Sequence, residues 1–399
     1  MGILMEKNSD HLSSWITLLV FSFLVPSQFS IEFIGLRLSV YRIVLLLCIF
    51  PVAKIFFSRI KRLPVDNFVF VTAGLMFVSM LINNGSDGFA FGGSLVLETI
   101  VPYLLGRVYI QKKENLIAFA DVHFKVILLL LIPVMYELFT GHNIFIHTFG
   151  GVVGRNLQSI RFGLYRASGP FEHAILLGIF AAAGFALTSI SKKNGIAKYL
   201  AILVVSFTSI SSAVYLMLAI QIVMLKIERL AHARLSSYAF VLIGAYVFIN
   251  ILSNRTPMEV LSSYLTMNPE TAYYRILINR FAMDSVIQNP FFGIGLHDWP
   301  RPTWMPPSID DFWLVIAVRH GIITLTCLFI VIYLSLKSTY VNYATSESVG
   351  VRVLLISIVI AGFTVHMWNA LYVLFWLIIG LSNNLGQFKP SNPIISKAL

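Results

Sequence analysis

Residues 310–335 read DDFWLVIAVRHGIITLTCLFIVIYLS, an apolar run whose charged residues stand in its first half. A helix that spans a membrane needs roughly 20 such residues, because the hydrocarbon core is about 30 Å thick and each helical residue rises 1.5 Å. The run is long enough, so it predicts a helix that crosses a membrane.

The same rule applied outward from this run predicts an all-α polytopic membrane protein with about twelve transmembrane helices. The whole chain, residues 1–399, forms a single membrane domain in this interpretation. The seventh and eighth runs are separated only by serines, so eleven spans are the alternative. The first run is expected to be a retained anchor, since no small-residue cleavage site follows it. The runs cover residues 12–31, 39–58, 67–83, 88–107, 117–139, 171–190, 197–211, 212–229, 237–253, 310–335, 351–367 and 369–386.

The composition supports this class of protein. Of the 399 residues, 57% are hydrophobic and only 12% are charged, with a net charge of +11. Soluble domains carry about 25% charged residues, which argues against a soluble enzyme or a nucleic-acid partner. Cys48 and Cys327 both lie in apolar runs, so they are expected to be packed side chains rather than a disulfide or a metal pair.

Lysine and arginine in short loops predict the orientation, because cytoplasmic loops carry an excess of both. Each even-numbered run ends at a basic loop, which places both termini in the cytoplasm. The basic residues are Lys54, Arg59, Lys61 and Arg62; Arg107, Lys112 and Lys113; Lys192, Lys193 and Lys198; Lys226, Arg229 and Arg234; and Lys337 and Arg352.

Two long outer loops remain, at about 140–170 and 254–309, and they contain arginine but no lysine. The planar guanidinium group binds phosphate or carboxylate through two hydrogen bonds, whereas lysine is a flexible point charge. The outer face is therefore expected to hold an anionic group in a fixed orientation. The alternative is that the positive-inside rule removes lysine and leaves a few structural arginines.

In the first outer loop, Arg166 lies five residues before the sixth run, at the expected headgroup level. We interpret Arg166 as functional. Arg161 is a further candidate for binding the anion, although pairing with a headgroup or carboxylate explains it equally well. Arg155 is assigned that structural role. His173 is a secondary candidate, since a lone histidine at a membrane entry is more often a packing residue.

The second outer loop contains a predicted surface helix of some five turns. Residues 268–270, Asn-Pro-Glu, are typical of a helix start, and residues 289–290, Asn-Pro, of a stop. Five residues at 100° each place Arg280 about 140° around the helix from Arg275. Arg275 is therefore the predicted site residue, and Arg280 is expected to pair with Asp284 on the surface.

The tryptophans and prolines of residues 299–307 are expected to anchor the membrane interface, although aromatic rings also bind sugars. Asp310 and Asp311 follow. Helix capping explains both, and one of them facing the site is a candidate general base.

Arg319 and His320 lie nine and ten residues into the tenth run, or about 14 Å along a straight helix. A cation at that depth needs a partner. Glu98 is the expected partner of Arg319, with Glu137 as the weaker choice. Arg319 is interpreted as structural or cavity-lining, and His320 remains ambiguous.

Taken in order, these motifs resemble the bacterial O-antigen ligase and polysaccharide polymerase superfamily of integral-membrane glycosyltransferases. The similarity covers about residues 150–335. Residues 166–173, RASGPFEH, are similar to the family's first motif, in which an arginine is followed by a glycine, an aromatic residue and a histidine at the start of a span. Arg275 and residues 290–295, PFFGIG, are similar to its second motif, and residues 310–314, DDFWL, stand at its third.

The sequence departs from the family pattern at three places. Asp310 replaces the family's catalytic histidine, and Ala174-Ile175 replaces the Pro-Asn after the first histidine. Ser211-Ser212 lacks the arginine often found before the eighth span. The aspartate version is more similar to exopolysaccharide polymerases than to lipopolysaccharide ligases.

The resemblance implies a GT-C-like fold in the bacterial inner membrane. It also implies transfer of a glycan from undecaprenyl diphosphate to a sugar hydroxyl on the extracytoplasmic face, without a metal or another cofactor. A carboxylate base opposite the leaving group would favour inversion at the anomeric carbon. The implied partners are undecaprenyl-diphosphate-linked oligosaccharide, membrane lipid and a chain-length regulator.

The resemblance and the residue types together assign the roles. Arg166, Arg275 and Arg161 hold the diphosphate, Asp310 accepts the proton, and Asp311 and His320 are reserve candidates. His173, Arg280 and Arg319 are secondary.

Two other functions remain open from the sequence. A ligase that transfers the glycan to lipid A or another acceptor would use the same chemistry. A transporter or flippase for lipid-linked sugars would also suit twelve spans, although transporter sites lie near the bilayer midplane and arise from related halves. No halfway repeat is present in the chain.

Overall fold

The computed structural model of the chain describes residues 12–33, 36–150, 159–191, 195–231, 269–342 and 345–388. These residues form helices and two short antiparallel hairpins. In chain order the elements are α1 Ser14–Ser22, β1 Ser30–Phe33, β2 Leu36–Ser39, α2 Val40–Arg59, α3 Pro64–Asn84, α4 Asp87–Tyr109, α5 Lys113–Thr140, α6 Ile144–Phe149, β3 Ile160–Arg161, β4 Leu164–Tyr165, α7 Ala174–Thr188, α8 Ile196–Phe207, α9 Ser212–Ala231, α10 Pro269–Gln288, α11 Phe312–Thr339, α12 Ser346–Gly362 and α13 Asn369–Ser382.

Six helices within these ranges are long and apolar enough to cross a membrane, and α7 and α8 are shorter apolar helices. The prediction of an all-α membrane protein is confirmed at this level. The twelve spans stay a prediction, and residues 237–253, the ninth run, lie outside the described residues. The six helices are α2, α3, α4, α5, α11 and α13 with its 3-10 extension to Gln387.

The prediction of a single spanning helix over residues 12–31 is wrong. Helix α1 has nine residues, and β1 begins at Ser30. Strand β1 pairs with β2 in the register Ser30↔Ser39. Pro26 is the physical reason, because it cannot donate to a helical hydrogen bond and its ring clashes with the preceding turn.

The seventh and eighth runs form two helices, as predicted. Helix α8 ends at Phe207 and α9 begins at Ser212. Ile210 between them has a φ of 42°, a left-handed conformation that ends a helix. The intervening carbonyl oxygens are consequently free to bind side chains from the first outer loop.

The helix predicted between Asn268 and Asn289 is confirmed as α10, which has 20 residues, and its position at a membrane surface stays a prediction. Ala282 and Val286 are buried, with 0% and 3% exposure, while Arg280 is exposed and Arg275 is half-buried. The predicted ion pair between Arg280 and Asp284 is absent from the described residues. Exposed pairs contribute little, and an arginine placed N-terminal to the acid is the weaker order.

Helix α11 is broken at Gly321, whose φ is 86°. The loop after α10 occupies the break: Ile294 N donates to Val318 O at 2.8 Å, and Ile322 N donates to Pro290 O at 2.7 Å. A Cβ atom on Gly293 would lie 2.4 Å from Val318 O. The Pro-x-x-Gly-x-Gly stretch thus fixes α10 against α11.

The break lies two residues after Arg319. Ser79 Oγ donates to Arg319 O at 2.9 Å, five residues before α3 ends at Asn84. Arg319 therefore lies near the end of α3. After the break, α11 continues as an uninterrupted helix over residues 322–339, which is about 27 Å long.

The expected partners of Arg319 bind elsewhere. Glu98 Oε1 accepts from Arg42 Nε at 2.7 Å, and Glu137 accepts hydrogen bonds from Ser168 and Gly169. The guanidinium group of Arg319 lies over the Phe91 ring, 5.8 Å from its centroid.

One end of the helix bundle, here called the basic end, contains buried arginine pairs. Arg107 Nε donates to Asp66 at 2.9 Å. Arg352 donates to both oxygens of Glu228, at 2.9 and 2.7 Å, and to Thr339 O at 3.0 Å. These charges satisfy the rule that a buried ion needs a partner.

Candidate functional site

A cavity of about 170 Å³ lies at the opposite end of α12 from Arg352. Its walls come from the β3–β4 hairpin, the start of α7, the α8–α9 turn, α10 and the segment that joins α12 to α13. The predicted site residues that line it are Arg161, Arg166, His173, Arg275 and Asp310. The structure thus brings together residues that are up to 149 positions apart in the sequence.

Arg166 is held rigidly although it belongs to a loop. Its Nε donates to Ser209 O at 2.9 Å in the α8–α9 turn, and its backbone N donates to Ser159 O at 3.1 Å. The buried Glu137 carboxylate binds the next residues, accepting from Ser168 N at 3.0 Å and from Gly169 N at 2.9 Å. The guanidinium group is consequently oriented before any ligand arrives.

Arg275 reaches the cavity from the packed side of α10. Its Nη2 donates to Thr364 O at 3.2 Å, which connects α10 to the segment after α12. Burial lowers the Arg275 pKa, and Asp310 opposes this shift. Asp310 acts on Arg275 through electrostatics, and the two form no ion pair in the structure.

Arg161 enters the cavity from the β3–β4 hairpin. Phe162 and Gly163 form its two-residue turn with φ values of 52° and 76°, the conformation favoured in tight hairpins. Arg161 Nη1 donates to Ile210 O at 3.1 Å. The Arg161 charge adds to burial in lowering the Arg166 pKa to about 10.

Unsatisfied donors distinguish this cavity from the basic end. Arg166 Nη2 and Arg275 Nε are buried and have no hydrogen-bond partner among the described residues. In the same part of the chain, none of the three cavity arginines forms an ion pair. A buried donor without a partner is costly, so this arrangement suits an anionic ligand.

Asp310 and Asp311 have different environments, although both precede α11, which begins at Phe312. Asp310 lines the cavity, and burial raises its pKa while Arg275 opposes the shift. Asp311 caps α11, because its Oδ1 accepts from Leu314 N at 3.0 Å. Burial raises the Asp311 pKa to about 7, although hydrogen bonds from the Leu314 and Trp313 backbone favour its charged form.

Of the other predicted site residues, His173 lines the cavity, and His320, Arg280 and Arg319 do not. His173 lines the cavity and also caps α7, with its Nδ1 accepting from Ile175 N at 3.2 Å. Burial, together with the charges of Arg166 and Arg161, lowers the His173 pKa to about 4, so the ring is neutral at pH 7. His320 is buried, and it lies outside the cavity lining, as do Arg280 and Arg319.

Sequence reasoning missed two cavity residues, His366 and Trp368. Both lie where two apolar runs meet, after α12 ends at Gly362. An ionisable residue within an apolar run is by default a functional candidate, so His366 carried a signal. Ser211 and Ser212, noted only as a departure from the family pattern, also line the cavity.

In comparisons with known proteins, neither a protein-family model nor a curated protein matches the chain. Within the residues described above, no group of three or more histidine, cysteine, aspartate or glutamate side chains is arranged to hold a metal ion.

Proposed function

We propose that this protein is a membrane glycosyltransferase that moves a glycan from a polyprenyl diphosphate to a sugar hydroxyl, as in polysaccharide polymerisation. One observation carries the proposal. Arg161, Arg166 and Arg275 line one cavity, and among the described residues none of them forms an ion pair and the buried donors Arg166 Nη2 and Arg275 Nε have no acceptor. A diphosphate supplies the charge and the oxygen acceptors that this set of donors needs.

The chemistry follows from the charges around the cavity. The acceptor hydroxyl attacks the anomeric carbon and transfers its proton to Asp310. The bond between that carbon and the diphosphate oxygen breaks, and the diphosphate leaves with the electron pair. Arg166 and Arg275 stabilise the negative charge that develops on the leaving group. Attack from the face opposite the diphosphate gives inversion at the anomeric carbon.

The proposed orientation places the cavity at the outer face of a bacterial inner membrane. The basic end then lies in the cytoplasm with both termini, in agreement with the lysine and arginine distribution. The substrate is undecaprenyl-diphosphate-linked oligosaccharide, which is delivered already activated and whose headgroup lies at the membrane surface.

A reconstituted assay tests the proposal. The full chain in lipid nanodiscs is supplied with lipid-linked oligosaccharide, and released lipid diphosphate and glycan length are measured. The wild type is expected to release lipid diphosphate and lengthen the glycan, while Asp310→Asn binds the substrate without turnover. Transfer to lipid A alone would indicate a ligase, and movement of intact substrate across liposomes without release would favour a transporter.

A further inference from the structure

A second wall of the cavity is formed by the segment between α12 and α13. His366 and Trp368 line the cavity and contact each other, with ring centroids 4.9 Å apart and planes at 63°. The Phe312 ring is nearly parallel to the His366 ring, with centroids 6.4 Å apart and planes at 26°. The His366 nitrogens have no hydrogen-bond partner in the part of the chain that the structure describes, so the imidazole is available to a ligand.

The residue after Trp368 holds this wall in place. Asn369 has a φ of 51°, a conformation that costs a non-glycine residue about 1–3 kcal/mol and persists only where neighbours enforce it. Its Nδ2 donates to Glu172 Oε1 at 2.6 Å, and its Oδ1 accepts from Tyr41 at 3.1 Å. Glu172 directly precedes His173 in the chain. The hydrogen bond from Asn369 to Glu172 therefore fixes the position of Trp368 relative to His173.

A hydrogen bond also joins this segment to Arg275, one of the three arginines that line the cavity. Arg275 donates to Thr364 O at 3.2 Å, two residues before His366. A diphosphate bound by Arg166 and Arg275 would therefore have one of its two ends close to His366 and Trp368. A sugar ring has an apolar face, which packs on an indole, and peripheral hydroxyls, which need donors and acceptors.

We propose that Trp368 and His366 form a carbohydrate subsite that binds the sugar attached to the lipid diphosphate. Trp368 packs against the apolar face of the sugar, and His366 hydrogen-bonds a hydroxyl. Burial, followed by the charge of Arg319, lowers the His366 pKa to about 3, so the neutral ring offers one donor and one acceptor at neutral pH. The subsite rests on the proposed function, since it assumes a diphosphate on the arginines.

Binding measurements separate the two hypotheses. The full chain in nanodiscs is titrated with farnesyl diphosphate, and with farnesyl diphosphate carrying glucose, galactose or N-acetylglucosamine. At least one glycosylated probe is expected to bind the wild type about tenfold more tightly than the bare diphosphate, the size of one good ring contact with a hydrogen bond. Trp368→Leu should abolish this advantage and change binding of the bare probe less than about twofold.

Matched controls are Trp304→Leu and His142→Ala, which alter exposed residues outside the cavity lining and should retain the advantage. Failure of farnesyl diphosphate to bind the wild type would overturn the proposed function. Binding of the bare probe with no gain from any sugar, or a gain that survives Trp368→Leu, would overturn the subsite alone. Loss of both probes in Trp368→Leu, with recovery of both in Trp368→Phe, would assign Trp368 a purely structural role and also overturn it.

Discussion

Replacing Arg275 with lysine keeps the positive charge and removes the planar donor group. In the wild type, Arg275 Nη2 is bonded to Thr364 O at 3.2 Å and the buried Nε has no partner among the described residues. A lysine ammonium cannot bind Thr364 and also present two parallel donors to a phosphate. Loss of one charge-assisted hydrogen bond costs about 1.5–3 kcal/mol, which corresponds to about 10- to 150-fold weaker binding.

The assay is titration of farnesyl diphosphate into the full chain in nanodiscs. The matched control is Arg280→Lys, which lies on the same helix five residues later and is exposed. Its side chain points about 140° away, so its effect should be less than about twofold. Wild-type affinity in Arg275→Lys would remove the argument from bidentate binding. An equal loss of affinity in Arg280→Lys would mean that the effect of Arg275→Lys comes from nonspecific surface charge.

Further predictions concern the base, the cap and the helix break. Asp310→Asn should lower the transfer rate at least about 100-fold without weakening farnesyl diphosphate binding, because it removes a negative charge from the cavity; equal turnover would exclude Asp310 as the base. Burial raises the Asp310 pKa above the usual 3.8, and only the carboxylate accepts a proton, so the wild-type rate should fall as the pH drops through that raised pKa. A flat profile there would contradict this. Asp311→Ala should cost about 0.5–2 kcal/mol of stability in thermal unfolding, whereas Asp311→Asn retains the cap; equal losses would remove the capping assignment. Gly293→Ala should destabilise the protein by about 1–3 kcal/mol, because Gly293 has a φ of 61° and no room for a Cβ. Gly74→Ala, where a Cβ meets nothing within 4 Å, is its control.

Features set by local sequence could be predicted. The Asn-Pro-Glu start and Asn-Pro stop correctly delimited α10, and helical periodicity separated the half-buried Arg275 from the exposed Arg280. Both signals act within a few residues, through proline's missing N–H and the 100° turn per residue.

Features set by tertiary contacts could not be predicted. A single glycine in an apolar run does not specify a break, and the break at Gly321 depends on a loop that starts some 30 residues earlier and supplies Pro290 O as an acceptor. The expected Arg319–Glu98 pair failed because Arg42 already binds Glu98. His366 and Trp368 lie in the segment after Gly362, whereas hydropathy extended the eleventh run to residue 367 and so hid this segment within a predicted span.

A structure of the full chain with farnesyl diphosphate bound tests the central claim most directly. Both phosphates are expected in the cavity, with oxygens within hydrogen-bond distance of Arg166 Nη2 and Arg275 Nε, the buried donors that have no partner among the described residues. A diphosphate bound elsewhere, with those two donors still unoccupied, would contradict it.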